Sequence, residues 1–243
     1  TSHFFLSLEV RVACVLVYVR WSCCSTEHLN DSVADCLDVG LLCVYILRDE
    51  ATGEGVIIDP GDNGQEILAY VRDTDLKVKM LINTHGHWDH IGAVDFLRDE
   101  LQVPLLIHQA DGDMLASGRR NLSCYMGQDG FRRPAEMFIK DGDVISFGKS
   151  SLRVIHTPGH TPGGVCLYGN GCLFSGDTLF ASSIGRTDLP GGSIEEILKS
   201  VNVHLAKVPD LAKVLPGHGP ASTMGRERRC NPYMQGYSLQ ELA

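Results

Sequence analysis

The sequence predicts a layered α/β fold, and three observations carry the prediction. Between Val78 and His108 the chain runs apolar strand, polar loop, helix-spaced segment, apolar strand, an order typical of layers whose functional loops gather at one sheet edge. From Asp143 onward VISF, LRVIHT, GVCLYG and CLFSGD are separated by turns rich in glycine and read as antiparallel neighbours. Between Gly40 and Pro220 there is no repeat, low-complexity stretch or linker, so one compact domain is expected there.

Taken in order, the elements begin with an apolar opening, Thr1 to Cys24, similar in composition to a signal peptide. Glu9 and Arg11 interrupt it, no basic segment precedes it, and it is too short and too charged to span a bilayer comfortably. Ser7, Glu9 and Arg11 alternate with Leu8, Val10 and Val12, which offers a half-buried strand as the other reading. Residues 1–36 are therefore set apart as an N-terminal extension and 37–243 as the folded domain. Leu41 to Arg48 and Glu54 to Asp59 predict a hairpin, and Gln65 to Arg72 predicts a helix returning the chain to a buried strand, Val78 to Asn83. Ile91, Val94, Leu97 and Leu101 share one face of a helix, and Val103 to His108 forms the next buried strand. A short helical stretch is expected around Asp111 to Ala116, in a segment that says little about chemistry. Ser193 to Leu205 predicts an amphipathic helix capped by Ser193, and Lys213 to Leu215 a last strand.

With 243 residues, 44% of them hydrophobic, the chain can bury a sizeable core, and a net charge of −9 argues against nucleic acid or an anionic membrane as partner. Nine cysteines with no C-x-x-C pair predict reduced, mostly buried thiols and a reducing compartment, the cytoplasm or an organelle.

The chemistry concentrates in Thr84 to His90, THGHWDH, where three histidines and an aspartate occupy six positions after an apolar strand. Imidazole nitrogens and carboxylate oxygens are the ligands of zinc and similar divalent ions. One histidine on an apolar element is usually a satisfied core residue, but several polar rings at the end of a buried strand need a partner. Four further stations repeat the form of a short strand ending in a glycine- or proline-rich turn: Asp59 in IIDPG, His160 in TPGHTPGG, Asp177 in FSGDTLF and His218 in PGHGP. Singly each reads as a tight turn. Together with THGHWDH they supply ligands for two metals.

These motifs, with GDTLF, IGRTDLPGG and GRERRCNP, resemble the metallo-β-lactamase superfamily over roughly Asp38 to Pro232, and within it the hydroxyacylglutathione hydrolase, or glyoxalase II-like, branch. The resemblance implies an αββα sandwich of two mixed sheets with helices on the outer faces. It implies that His85, His87 and His160 hold one divalent ion, that Asp89, His90 and His218 hold another, and that Asp177 bridges them, with Asp59 orienting a ligand histidine. Zinc is the expected metal, with iron and manganese as alternatives. The implied reaction is hydrolysis of a thioester such as S-lactoylglutathione by a metal-bound hydroxide, to which Asp89 offers a hydrogen-bond acceptor. The branch's C-terminal helical domain, which helps bind glutathione, is not matched by the two dozen or so residues after His218. Arg186 and Asp188 are expected to pair and brace a loop rather than to reach the site, and Cys230 and Tyr233 receive no role. The nearest alternative is a persulfide dioxygenase of the same superfamily, with one iron on His85, His160 and Asp177. A lactamase ranks lower, because lactamases generally lack an aspartate at the position of Asp177. A nuclease would need an inserted domain, and a non-catalytic metal-binding module would be expected to have lost ligands.

Overall fold

The computed structural model describes residues 14–21, 42–127 and 130–235. Two six-stranded mixed sheets pack face to face. The first holds, in spatial order, β1 (Cys14–Trp21), β2 (Leu42–Asp49), β3 (Glu54–Ile58), β4 (Lys77–Ile82), β5 (Leu105–His108) and β6 (Met137–Ile139). The second comprises β7 (Val144–Phe147), β8 (Ser150–His156), β9 (Val165–Gly169), β10 (Cys172–Gly176), β13 (Lys213–Pro216) and β14 (Ser222–Thr223), with β10 between β9 and β13. A two-stranded ribbon, β11 (Leu179–Phe180) and β12 (Ser183–Ile184), stands apart. β2 and β3 form the expected antiparallel hairpin, β7 to β10 are antiparallel neighbours, and β10 pairs in parallel with β13.

Side chains alternate across a strand, so a strand buried on both sides feeds two cores. Tyr45 and Leu47, Val56 and Ile58, Ile82 and Leu106 point between the sheets, where they meet Phe147, Leu152, Val154, Leu167, Phe174 and Leu215. Their neighbours Val44, Ile46, Ile57, Leu81, Leu105 and Ile107 point outward under α1 (Gly64–Asp73), α2 (Trp88–Ile91) and α3 (Val94–Leu101). On the far side Cys166, Leu173 and Val214 pack under α4 (Ile194–Asn202), a 3-10 turn at His204–Lys207 and α5 (Met224–Cys230). The result is the αββα order, with helices on both outer faces.

Several expectations need correction. β4 is fully buried only at Leu81 and Ile82; Lys77 and Lys79 are exposed at its start, where a bulge shifts its register against β3. The helix predicted over Ile91 to Leu101 is broken after Ile91: a Cβ at Gly92 would lie 1.8 Å from the Gly61 carbonyl oxygen, and Ala93 N–H bonds to Pro60 O at 2.9 Å. This close approach needs glycine and ends α2. The predicted final helix stops at Asn202 and passes into the 3-10 turn, with Ser193 Oγ accepting from Glu196 N as its cap. β6 and α5 were not anticipated; both are short, and β6 is exposed at two of its three residues. Cys166 and Cys172 are free and buried, but Cys124 and Cys230 are free and exposed. The strand reading at residues 7–12, and the opening segment except for β1, lie outside the described residues, as does most of the 1–36 extension; β1 runs parallel to β2. Among the described residues no helix is long and apolar enough to cross a membrane.

Candidate metal centre

Five strand ends meet at one edge of the sandwich. β3 ends at Asp59, β4 at the Asn83–His90 loop, β8 leads to His160, β10 to Asp177 and β13 to His218. Backbone bonds tie these ends together: Asp59 N to Ile82 O at 3.0 Å, Val165 N to Thr84 O at 2.9 Å and Gly217 N to Gly176 O at 2.8 Å. Tyr45 Oη donates to Pro216 O at 2.6 Å, joining the first sheet to the turn before His218. A Cβ at Gly217 would lie 2.5 Å from Asp177 Oδ1 and 2.7 Å from His90 Cε1, so only glycine lets this turn close on the cluster.

All seven predicted ligand residues converge, and their donor atoms form three overlapping groups, each within 4.8 Å: His85, His87 and His160; His85, His90 and Asp177; and Asp89, His90 and His218. His87 Nδ1 lies 2.9 Å from His160 Nε2. Asp177 faces both sides, with Oδ1 at 3.4 Å from His90 Nε2 and Oδ2 at 3.5 Å from His160 Nε2 and 3.7 Å from His218 Nε2. Asp89 Oδ2 is 3.2 Å from His218 Nε2 and 3.9 Å from His90 Nε2. Asp89 and His218, with side chains 20% and 26% exposed, form the mouth, while His85, His87 and His90 lie behind them, almost fully buried.

The field inside the cluster is uneven. Burial holds His85 well below its ordinary value, and the neighbouring rings add to the effect. Burial and His160 bring His87 down to about 3. At His90 burial works the other way from Asp59, Asp177 and Asp89, and the three carboxylates prevail, raising it well above the ordinary histidine value. His218 is likewise raised, because its bond to Asp89 and the charge of Asp177 outweigh burial. Burial alone would raise Asp177, but His90, His218 and His160 hold it below the usual carboxylate range. Asp89 is lowered for the same reason, by His90 and His218 against burial.

Supporting groups set the rings. Asp59 is buried and has a left-handed backbone, φ 51°. It accepts from Thr84 N at 2.7 Å, Thr84 Oγ1 at 2.6 Å and Asn83 Nδ2 at 3.3 Å, and its Oδ2 lies 3.0 Å from His90 Nδ1. His160 Nδ1 is 2.7 Å from the Arg186 carbonyl, which can only accept, so that nitrogen carries the proton and Nε2 turns its lone pair into the cluster. Arg186 thus serves through its backbone; its side chain forms the expected two-pronged pair with Asp188, at 3.0 and 2.8 Å and well exposed. Tyr233 contributes backbone groups, its carbonyl accepting from Asn202 Nδ2 and its N–H donating to Asn231 Oδ1.

Sequence reasoning missed Asp111. Wholly buried, it accepts from Gly86 N at 3.2 Å, Thr161 Oγ1 at 2.7 Å and Gly163 N at 2.6 Å, and so clamps the loop of His85 and His87 to the loop of His160. Burial raises its carboxyl in spite of these bonds. Its local sequence, QADGD, carries no signal that separates it from a surface turn.

The cluster fits divalent metal ions. His85 Nε2, His90 Nε2 and Asp177 Oδ1 are buried without a hydrogen-bond partner among the described residues, a costly state for polar atoms that coordination would relieve. Ligands at zinc-like bond lengths sit about 3.4 Å apart around one tetrahedral ion, close to the spacings measured here between Asp177, His90, His160 and His218.

Residues 42–223 match the family model of the metallo-beta-lactamase superfamily, and the chain belongs to that superfamily. It is 41% identical over 194 residues to an uncharacterised protein of Aquifex aeolicus, covering 77% of this chain and 89% of that one. It is 37% identical to the probable metallo-hydrolase YqgX of Bacillus subtilis, over 80% and 92% of the two chains. It is 30% identical to the hydroxyacylglutathione hydrolase GloC of Haemophilus influenzae, over 81% and 93%. Among solved structures the B3 metallo-beta-lactamase BLEG-1 superposes with a TM-score of 0.75 at 35% identity, covering 79% of this chain and 94% of that one. TTHA1623 in a di-iron-bound form superposes with a TM-score of 0.69 at 34% identity, over 78% and 93%. ETHE1 from Myxococcus xanthus gives 0.69 at 30%, over 82% and 81%.

Proposed function

We propose that this protein hydrolyses a thioester of the acyl-glutathione class, such as S-lactoylglutathione, at a pair of zinc ions. The observation that carries the reading is the position of Asp177, whose two oxygens face histidines on both sides of the cluster. In this reading His85, His87 and His160 would hold one ion, Asp89, His90 and His218 would hold the other, and the Asp177 carboxylate between the two groups would offset part of the repulsion between adjacent cations. Divalent ions bound there lower the pKa of water to about 7 and polarise a carbonyl. Asp89 stands at the mouth, ionised and within 3.2 Å of His218 Nε2, where it would accept a hydrogen bond from an attacking water. Asp59 holds the His90 ring, and the Arg186 carbonyl fixes the tautomer of His160.

The likeness to GloC supports the thioester, and the di-iron-bound neighbour keeps iron as the alternative metal. BLEG-1 favours a second reading, β-lactam hydrolysis at the same cluster. The folded unit is taken as residues 37–243, with β1 from the preceding segment adding an edge strand to its first sheet. A reducing compartment, the cytoplasm or an organelle, goes with this reading; burial pushes the Cys166 thiol up to about 11, where it resists oxidation.

One experiment separates the readings: metal content and turnover measured on a single purified sample. About two ions per chain with hydrolysis of S-lactoylglutathione is the expected result. One iron with oxygen uptake on glutathione persulfide would replace the proposal with a dioxygenase, and faster hydrolysis of a chromogenic cephalosporin than of the thioester would replace it with a lactamase.

A further inference from the structure

On the outer face of the second sheet the helical layer covers β9, β10 and β13 but stops short of β7, where Val144 is 63% exposed. At that margin lies a cleft of about 490 Å³, lined by none of the metal-cluster residues. This is the size of an ordinary small-molecule site. Its floor is apolar, built from Ile155, Tyr168 and Val208. Two cations look into it from different elements, Arg153 from β8 and Lys207 from the 3-10 turn after α4. Neither forms an ion pair with any described residue, in a protein whose net charge is −9 and whose other cations are mostly paired with carboxylates or carbonyls.

The polar walls add two histidines and one carboxylate. His156 Nε2 donates to Pro162 O at 3.0 Å and His204 Nδ1 to His156 O at 2.8 Å. Both acceptors are carbonyls, so the tautomers follow, and the second nitrogen of each neutral ring is an acceptor, which leaves Arg153 and Lys207 as the donors for an anion. The lining also holds one carboxylate, Asp141, whose Oδ1 accepts from His156 N at 2.9 Å and whose single charge the two cations exceed. We propose that this cleft is a second binding site, separate from the metal centre, for a small organic anion: a carboxylate or phosphate monoester held by Arg153 and Lys207, with an apolar body on Ile155, Tyr168 and Val208. An apolar body alone would leave both cations without a counter-ion, and an inorganic anion alone would leave the floor uncovered.

The test is calorimetric titration of the metal-loaded protein with phenyl phosphate and with phenylacetate, which distinguish the two anion types, and with inorganic phosphate and phenol as controls. At least one of the two organic anions should bind, and Arg153→Ala and Lys207→Ala should each weaken it by about tenfold, the usual effect of losing one charge-assisted bond. His218→Ala, at the mouth of the metal cluster, should leave that binding unchanged. Both substitutions in the cleft replace exposed side chains, so folding is not at risk. Failure of both organic anions to bind, equal binding of inorganic phosphate, or loss of binding in His218→Ala with retention in the two cleft variants would each overturn the proposal.

Discussion

Asp111 gives the sharpest test of how the metal centre is assembled. Its two oxygens serve three buried donors, Gly86 N, Thr161 Oγ1 and Gly163 N, on the two loops that carry His85, His87 and His160. Asp111→Ala strands all three. An unsatisfied buried donor costs about 1–3 kcal/mol, so the sum is about 3–9 kcal/mol before relaxation. Single substitutions rarely exceed about 4–5 kcal/mol, and the loops can part to admit water, so a loss of about 4 kcal/mol is expected. Asp111→Asn keeps one oxygen for Gly163 N, and its amide can donate to the Thr161 hydroxyl. The amide then meets Gly86 N–H donor to donor, so one bond is lost, at about 1–3 kcal/mol. Urea denaturation of metal-stripped protein should therefore rank wild type above Asn above Ala. The same clamp sets the 2.9 Å approach of His87 Nδ1 to His160 Nε2, so chelator competition should show metal affinity falling by about 10- to 100-fold, as for other residues that orient ligands. Asn and Ala variants of equal stability, or both within about 0.5 kcal/mol of wild type as for an ordinary surface change, would refute the reasoning.

Further outcomes follow from the same geometry. Asp177→Asn removes the charge between the histidine groups, so metal analysis should find weaker binding of both ions with the fold largely intact; two tightly held ions would remove the bridging role. Asp59→Asn places an amide where a carboxylate meets His90 Nδ1 and Thr84 Oγ1, and metal affinity should fall by about 10- to 100-fold with little change in circular dichroism. In metal-free protein the surrounding carboxylates raise His90 and His218 above the ordinary histidine value, so each keeps its proton over more of the pH range, and a cation must displace it. Metal uptake should therefore release protons, and apparent affinity should rise with pH by up to about tenfold per unit for each proton displaced; calorimetry in buffers of different ionisation enthalpy reads the number, and zero release would contradict it. Phe174→Ala empties a fully buried site packed edge-on against Tyr45 at 5.1 Å, and should cost about 3–5 kcal/mol in urea denaturation.

Much of the fold was legible because its causes are local. Strands buried on both faces read as unbroken apolar runs, so LLCVYILR, EGVIID and VPLLIH announced the first sheet and GVCLYG and CLFSGD the second. The ligands were legible for a related reason: histidine and aspartate in turns directly after such strands are chemically conspicuous, and THGHWDH packs four into one loop. Where the cause lay across space the reading failed. Gly92 breaks a helix because the Gly61 carbonyl passes beside it, and Gly61 is thirty-one residues earlier in the chain. Asp111 looked like a turn residue because its three donors come from loops 25 to 52 residues away.

The sequence by itself determined the alternation that builds two sheets and the identity of the side chains able to hold metal. Tertiary structure alone decided which oxygen of Asp177 faces which ring, that Asp59 serves His90, and that Arg186 contributes its carbonyl rather than its guanidinium. The reason is physical: periodicity and residue type fix what a side chain can do, whereas distance and direction arise only when strand ends far apart in the chain are brought to a common edge.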